Sequence, residues 1–246
     1  MQFDFKDQTA IVSGGTRGIG RAVSEAFLQA GAKVLATYHS NRDSAEKFLQ
    51  DNKEHGERVS IHGFDVAKPE EVERFFKETP DAEDFQILVH SAGIRADAIV
   101  GLMKSEEWSR VIDTNLGGTF NMCKFAVQKL SRKRYGRLII ITSPIGRFGM
   151  AGQANYAASK AGQVAFARSL AKEVATRKIT VNCVSPGFID TEFISDLPEE
   201  QRKAYLDMIP LKRFGIPEEV AHSVLFLGSR EASYITGSVQ EITGGL

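Results

Sequence analysis

Short apolar runs alternate along the chain with longer stretches in which apolar residues recur every three or four positions. The runs at 9–13, 33–38, 58–62, 85–90, 137–142, 180–184 and 240–243 predict β-strands. Ile87-Leu88-Val89 and Leu138-Ile139-Ile140-Ile141 hold no polar position, as expected of strands covered on both faces. Between them, helices are predicted over 21–30, closed by Gly31, and over 43–53. A third covers 70–78 after Pro69, with Val72, Phe75 and Phe76 on one side. A long helix covers 106–132, softly broken at Gly117-Gly118. Further helices run from Gln153 to about Thr176 and from Pro217 to about Leu227. Residues 190–215, with Pro198, Pro210 and Gly215, read as irregular and as a candidate lid over a site.

Repeated βα alternation predicts an α/β fold: a Rossmann-type, doubly wound parallel sheet of about seven strands with helices on both faces. No linker, low-complexity tract or short-period repeat interrupts it, so residues 1–246 are expected to form one domain.

Composition narrows the function classes. Lys plus Arg and Asp plus Glu are 31 each, so the net charge of zero argues against nucleic acid or an acidic membrane as the main partner. Cys123 and Cys183 lie far apart without ligand spacing, so neither a disulfide framework nor a metal site follows. They read as buried small hydrophobes. No run of about 18 apolar residues spans a membrane, and the charged N-terminus lacks a signal core. A soluble cytoplasmic protein is the expectation.

Two stretches carry chemistry. The first, Ser13-Gly14-Gly15-Thr16-Arg17-Gly18-Ile19-Gly20, follows the first strand and opens the first helix. Glycines there let backbone approach a pyrophosphate, and a helix N-terminus favours an anion. Tight strand-to-helix turns also need glycine, so position rather than composition makes this a nucleotide site. The second strand ends Thr37-Tyr38-His39-Ser40-Asn41-Arg42, with no acid before Asp43 for ribose hydroxyls. Arg17 and Arg42 can face a 2′-phosphate, which favours NADP(H) over NAD. The second stretch is Gln153 to Gln163, where Tyr156 and Lys160 are four apart on one helix face. A cation beside a phenol stabilises phenolate and eases a proton on or off it. A surface Tyr–Lys pair is the bland alternative.

Together, in this order, the glycine turn and Tyr-x-x-x-Lys resemble the short-chain dehydrogenase/reductase family, across residues 7–246. Asp65-Val66 is similar to the family's adenine-contacting pair, and His90-Ser91-Ala92-Gly93 to its Asn-Asn-Ala-Gly motif. Asn115, Ser143, and Pro186-Gly187 with Ile189 and Thr191 fall at its remaining positions. The resemblance implies Asn115, Ser143, Tyr156 and Lys160 as the catalytic set. Tyr156 is then the proton donor, Lys160 its tuner and ribose ligand, and Ser143 a hydrogen-bond donor to the substrate oxygen. Asn115 would hold a water that relays protons to Lys160. The cofactor positions implied are Gly14 to Gly20, Ser40, Asn41, Arg42, Asp65, Val66, Ser91, Ala92, Gly93, Tyr156, Lys160, Pro186, Gly187, Ile189 and Thr191. Stretches 152–162, 179–182 and 186–191 are similar to the branch that reduces 3-oxoacyl groups on acyl carrier protein in fatty acid biosynthesis. That branch implies a homotetramer and docking of an acidic carrier on Arg134 and Arg177. Departures from the pattern are His90 and Ser91 for two asparagines, and Pro144 after Ser143. Histidine is expected to tie the strands less well, and the departures point to a specialised paralogue. Another alcohol or ketone substrate, or a cofactor-binding scaffold without turnover, remain the alternatives.

Overall fold

A computed structural model of the chain describes residues 3–195 and 197–246; residues 1 and 2 of the N-terminal reading and residue 196 of the 190–215 segment lie outside the described residues. Seven strands form one sheet in the order β3-β2-β1-β4-β5-β6-β7. They are β1 (Thr9–Ser13), β2 (Lys33–Tyr38), β3 (Val59–Gly63), β4 (Ile87–His90), β5 (Gly136–Ile141), β6 (Ile179–Pro186) and β7 (Val239–Ile242). Every neighbouring pair is parallel.

The helices are α1 (Gly18–Gln29), α2 (Arg42–Asp51), α3 (Pro69–Glu78), α4 (Ser105–Ile112), α5 (Gly118–Lys133), α6 (Ile145–Phe148), α7 (Ala154–Val174), α8 (Glu192–Ser195), α9 (Glu199–Met208) and α10 (Pro217–Gly228). Alternate strand residues feed two separate cores. Ala10, Val12, Val34, Val89 and Ile139 pack with Phe27 of α1 and Val224 of α10. Ile11, Leu35, Leu88, Ile140 and Val181 pack with Phe76 of α3, Met122 of α5 and Leu170 of α7. This two-sided burial is why the strands read as unbroken apolar runs. Cys123 and Cys183 are free thiols buried in the second core.

Two predicted elements differ. Residues 190–215 are not irregular throughout, because they contain α8 and α9. Pro198 and Pro210 bracket α9 rather than break it: Pro198 is its N-cap residue and Glu199-Glu200 fill its first turn. The soft break in the long helix is a π-helical turn over Asp113–Gly117, ending on the first of the two glycines. Such turns widen a helix locally and accompany functional sites. Asn115 lies in it, fully buried.

The chain order reverses between β1 and β4, so a crevice opens at their carboxyl ends, where open parallel sheets bind ligands.

Candidate active site

Ser13 ends β1 opposite His90, which ends β4. The Ser13 hydroxyl accepts from the Ser91 and Ala92 amides at 3.1 and 3.2 Å and lies 2.8 Å from His90 Nδ1. With both amides donating to the oxygen, its one proton goes to Nδ1, leaving the neutral imidazole protonated on Nε2. Burial, helped by the charge of Lys160, pushes His90 down to about 3. Histidine thus ties the tips of β1 and β4 directly through Nδ1, while its buried Nε2 finds no protein partner among the described residues.

The β1–α1 turn stands beside this tie. Gly14 and Gly18 hold left-handed φ of +64° and +50°, where glycine costs least. A Cβ on Gly18 would meet only Thr191 Cγ2, at 3.8 Å, so the space over the turn is open. Helix α1 starts with no side-chain cap and no acid in its first turn. Its N-terminus therefore offers amides and a positive dipole end to an anion. Arg17 is exposed at its mouth.

The other predicted cofactor residues line the same sheet edge, each just past a strand. After β2, Ser40, Asn41 and Arg42 are exposed; Asn41 caps α2 by accepting from Ser44 N at 3.0 Å, and Arg42 pairs with Glu46 at 2.7 Å. After β3, Asp65 lies 3.8 Å from His39 and Val66 is buried. After β4 come Ser91, Ala92 and Gly93; at and after the end of β6 come Pro186, Gly187, Ile189 and Thr191.

Ser143 follows β5, and Pro144 caps α6 with φ −63° and ψ −20°, a helical geometry that suits proline. Tyr156 sits in the first turn of α7, half-buried, and the nearby Ser143 hydroxyl favours the phenolate form of its phenol. Lys160, one turn on, is 4% exposed. Its Nζ donates to Ile141 O at 2.9 Å and stands 5.5 Å from the Tyr156 ring centroid. Burial pulls Lys160 down to about 8. The tyrosine differs from expectation, since burial raises its pKa while Ser143 and Arg95 pull the other way.

Asn115 also differs in its bonds. Its Oδ1 accepts from Ile94 N at 2.8 Å, and its Nδ2 donates to Ile94 O and Ser159 Oγ, both at 3.0 Å. Its carbonyl accepts from Thr119 Oγ1 at 2.6 Å and Gln163 Nε2 at 3.0 Å. Only Oδ1 keeps lone-pair capacity. A Cβ on Gly93 would sit 3.2 Å from that oxygen and 3.7 Å from Lys160 Nζ, so glycine keeps a gap between them.

The structure thus gathers Ser143, Tyr156, Lys160 and Asn115 beside the glycine turn. Arg134 and Arg177 are not brought there. They neighbour each other, with Arg134 Nη2 donating to Thr176 O at 3.1 Å, but they precede β5 and β6 at the opposite sheet edge. Sequence reasoning gave no role to Arg95, Asp97, Gln153 and Asn155, which hold the loop after β4 against α7; Arg95 and Asp97 lie in no motif, and Gln153 and Asn155 lie unassigned in the 153–163 stretch.

A sequence-family profile described as Enoyl-(Acyl carrier protein) reductase matches residues 14–246. Among curated proteins, the 3-oxoacyl-[acyl-carrier-protein] reductase FabG of Vibrio cholerae serotype O1 is 42% identical, over 99% of this chain and 98% of its own. The reductase of that name from Escherichia coli K12 is 41% identical over 99% and 98%. That from Chlamydia muridarum is 39% identical over 98% and 97%. The chain belongs to the short-chain dehydrogenase/reductase family. Membership implies a nicotinamide cofactor, and the open glycine turn with its uncapped helix fits the pyrophosphate of one. Among the described residues no helix is long and apolar enough to cross a membrane.

Proposed function

We propose that this family member uses NADPH to reduce a 3-oxoacyl thioester, carried on acyl carrier protein, to the 3-hydroxyacyl thioester. The observation carrying this reading is the meeting of two hydroxyls, Ser143 and Tyr156, beside a buried lysine at the mouth of the crevice. The bound nicotinamide would supply the hydride that reaches the carbonyl carbon. The chain's task is then the oxygen, on which negative charge develops as the carbonyl electron pair moves to it. Ser143 hydrogen-bonds that oxygen and Tyr156 delivers the proton. Lys160 holds the ribose and, when charged, eases phenolate formation. A water in the gap beside Gly93, on Asn115 Oδ1, would return a proton to Lys160.

The family profile names enoyl reduction instead. Two donors converging on one oxygen suit a ketone better, since reduction of a carbon–carbon double bond ends with its proton on carbon. Loss of reduced-cofactor absorbance with acetoacetyl thioester, and little with crotonyl thioester, is the expected result; the reverse preference would overturn the reading. Tyr156→Phe should keep NADPH binding and lose nearly all turnover.

NADPH over NADH rests on the missing acid after β2 and on Arg17 and Arg42 at that edge. Arg42→Ala should raise KM for NADPH more than for NADH; an equal effect on both would count against it. The remaining inferences are one domain over 1–246, a cytoplasmic homotetramer, and carrier docking on Arg134 and Arg177. Light scattering giving a monomer would remove the second. A carrier-substrate KM insensitive to salt and unchanged in Arg134→Ala/Arg177→Ala would remove the third.

A further inference from the structure

The segment following Gly93 is bound to the π-helical turn, to α7 and to the residues just before α7 at nearly every position. Ile94 is held through both backbone groups by Asn115. The Ala96 carbonyl accepts from Asn155 Nδ2 at 2.9 Å, Asp97 Oδ2 from Gln153 Nε2 at 3.0 Å, and Gly152 O accepts from Ala98 N at 2.8 Å. Asn155 and Gln153 are buried, so these ties are shielded from water. The residue they present is Arg95. Its guanidinium lies 5.9 Å from the Tyr156 ring centroid and is gripped by both Asp97 carboxylate oxygens, with Nε at 3.2 Å from Oδ1.

The geometry points to Arg95 as a positioning residue for proton transfer: a cation fixed by Asp97, which Gln153 in turn holds, that stabilises the phenolate of Tyr156. This rests on Tyr156 being the proton donor. Arg95 differs from Lys160 in kind, because a guanidinium keeps its charge at every working pH, whereas Lys160 titrates near 8. Above that pH the arginine is the cation left beside the phenol. The two charges act on the phenol in opposite directions: Arg95 favours its anion and Asp97 opposes it. The other titratable groups here are Lys160 on α7, Tyr205 of α9 acting on Arg95, and His90 of β4 and Cys183 of β6 acting on or with Lys160. His90 and Cys183 are neutral at working pH, since burial holds the one near 3 and the other near 12.

The test is the acid limb of the pH profile for oxidation, with NADP⁺ and 3-hydroxybutyryl-coenzyme A, where Tyr156 must act as the base. Arg95→Met should move the limb up by roughly 0.5–2 pH units, the span Coulomb's law gives for a unit charge about 6 Å away under water-like to protein-like screening. Arg95→Lys should move it less, and Asp97→Asn should move it down. Without cofactor, the Tyr156 ring ¹³C resonance, assigned by its loss in Tyr156→Phe, should titrate in the same order. A merely structural role would lower kcat in all variants without opposite shifts. A limb within about 0.2 pH unit of wild type in Arg95→Met, or both variants moving it the same way, would overturn the proposal. If Arg95→Met does not fold, Arg95→Lys and Asp97→Asn still decide it. Turnover retained in Tyr156→Phe would instead refute the donor assignment on which the proposal stands.

Discussion

Replacing Lys160 with methionine separates what the buried cation costs the fold from what it gives the reaction. The fall from 10.5 to about 8 is equivalent to a charge penalty of about 3 kcal/mol at neutral pH. Methionine is of similar length and removes that penalty. It also takes the Nζ donor from Ile141 O, 2.9 Å away, at a cost of about 1–3 kcal/mol for a buried carbonyl left unpaired. At pH 7 the two nearly cancel, so Lys160→Met should be between about 0 and 2 kcal/mol more stable than wild type while losing most turnover. The pH dependence gives the sharper reading. Between pH 8 and 10.5 the unfolded lysine holds its proton and the folded one has shed it. The unfolded state therefore binds more protons, and wild-type stability gains with rising pH across that window. Cys123 and Cys183, both raised by burial, work in the opposite direction but are common to both proteins. Urea unfolding at pH 7 and pH 10 gives the difference between wild type and variant, which should move by about 3 kcal/mol in favour of wild type. A variant more than about 3 kcal/mol less stable at pH 7, or a difference that does not move with pH, would refute this account of Lys160.

Ser13→Ala strips His90 Nδ1 and the Ala92 amide of their shared partner, while the Ser91 amide keeps the Ser13 carbonyl, and should cost about 2–4 kcal/mol. Ser24→Ala removes a single buried bond to Gly15 O at 2.9 Å and should cost about 1 kcal/mol; equal losses in urea unfolding would show that the Ser13 tie is not a network. Gly93→Ala closes the gap between Asn115 Oδ1 and Lys160 Nζ and should lower kcat about tenfold or more with the fold intact. A kcat within about twofold of wild type would remove the water relay. His90 has a folded pKa of about 3 against 6.5 unfolded, so the unfolded state binds the extra proton as pH falls from 6.5 towards 3. The resulting loss, up to about 5 kcal/mol, should shrink in His90→Asn, as followed by acid unfolding.

Strands and cofactor turn were legible because their signals are local. An apolar run covered on two faces needs no knowledge of its partners, and a glycine turn between strand and helix reads in order along the chain. Helix α9 is hidden in the sequence because Pro198 and Pro210 read as breakers and its residues are mostly polar. The π-helical turn at Asp113–Gly117 was hidden because two glycines account equally well for any loosening. The clamp on the loop after β4 was out of reach for a different reason. Asn155 reaches Ala96 across 59 positions and Gln153 reaches Asp97 across 56. No periodicity links such partners, and Arg95 belongs to no motif. The net sign of the Tyr156 shift was also unreadable, because spacing places a cation near a phenol but does not weigh it against burial.

The energetics of the site weigh against a cofactor-binding scaffold without turnover. Holding pyrophosphate needs the glycine turn and the first turn of α1, and neither requires a lysine 4% exposed one turn from a tyrosine. That lysine costs about 3 kcal/mol, a large share of the 5–15 kcal/mol by which domains are usually stable. Even after the Ile141 carbonyl loses its donor, a chain released from chemistry would gain up to about 2 kcal/mol from an apolar residue of similar length there. The substitutions at the site's edge run the same way. His90 keeps the β1–β4 tie through Ser13, and Pro144 caps α6 without displacing Ser143 from the phenol. Arg95 adds a charge that the phenolate uses and the pyrophosphate site does not. His90 and Pro144 thus stand beside the proposed proton-transfer residues without removing any of them.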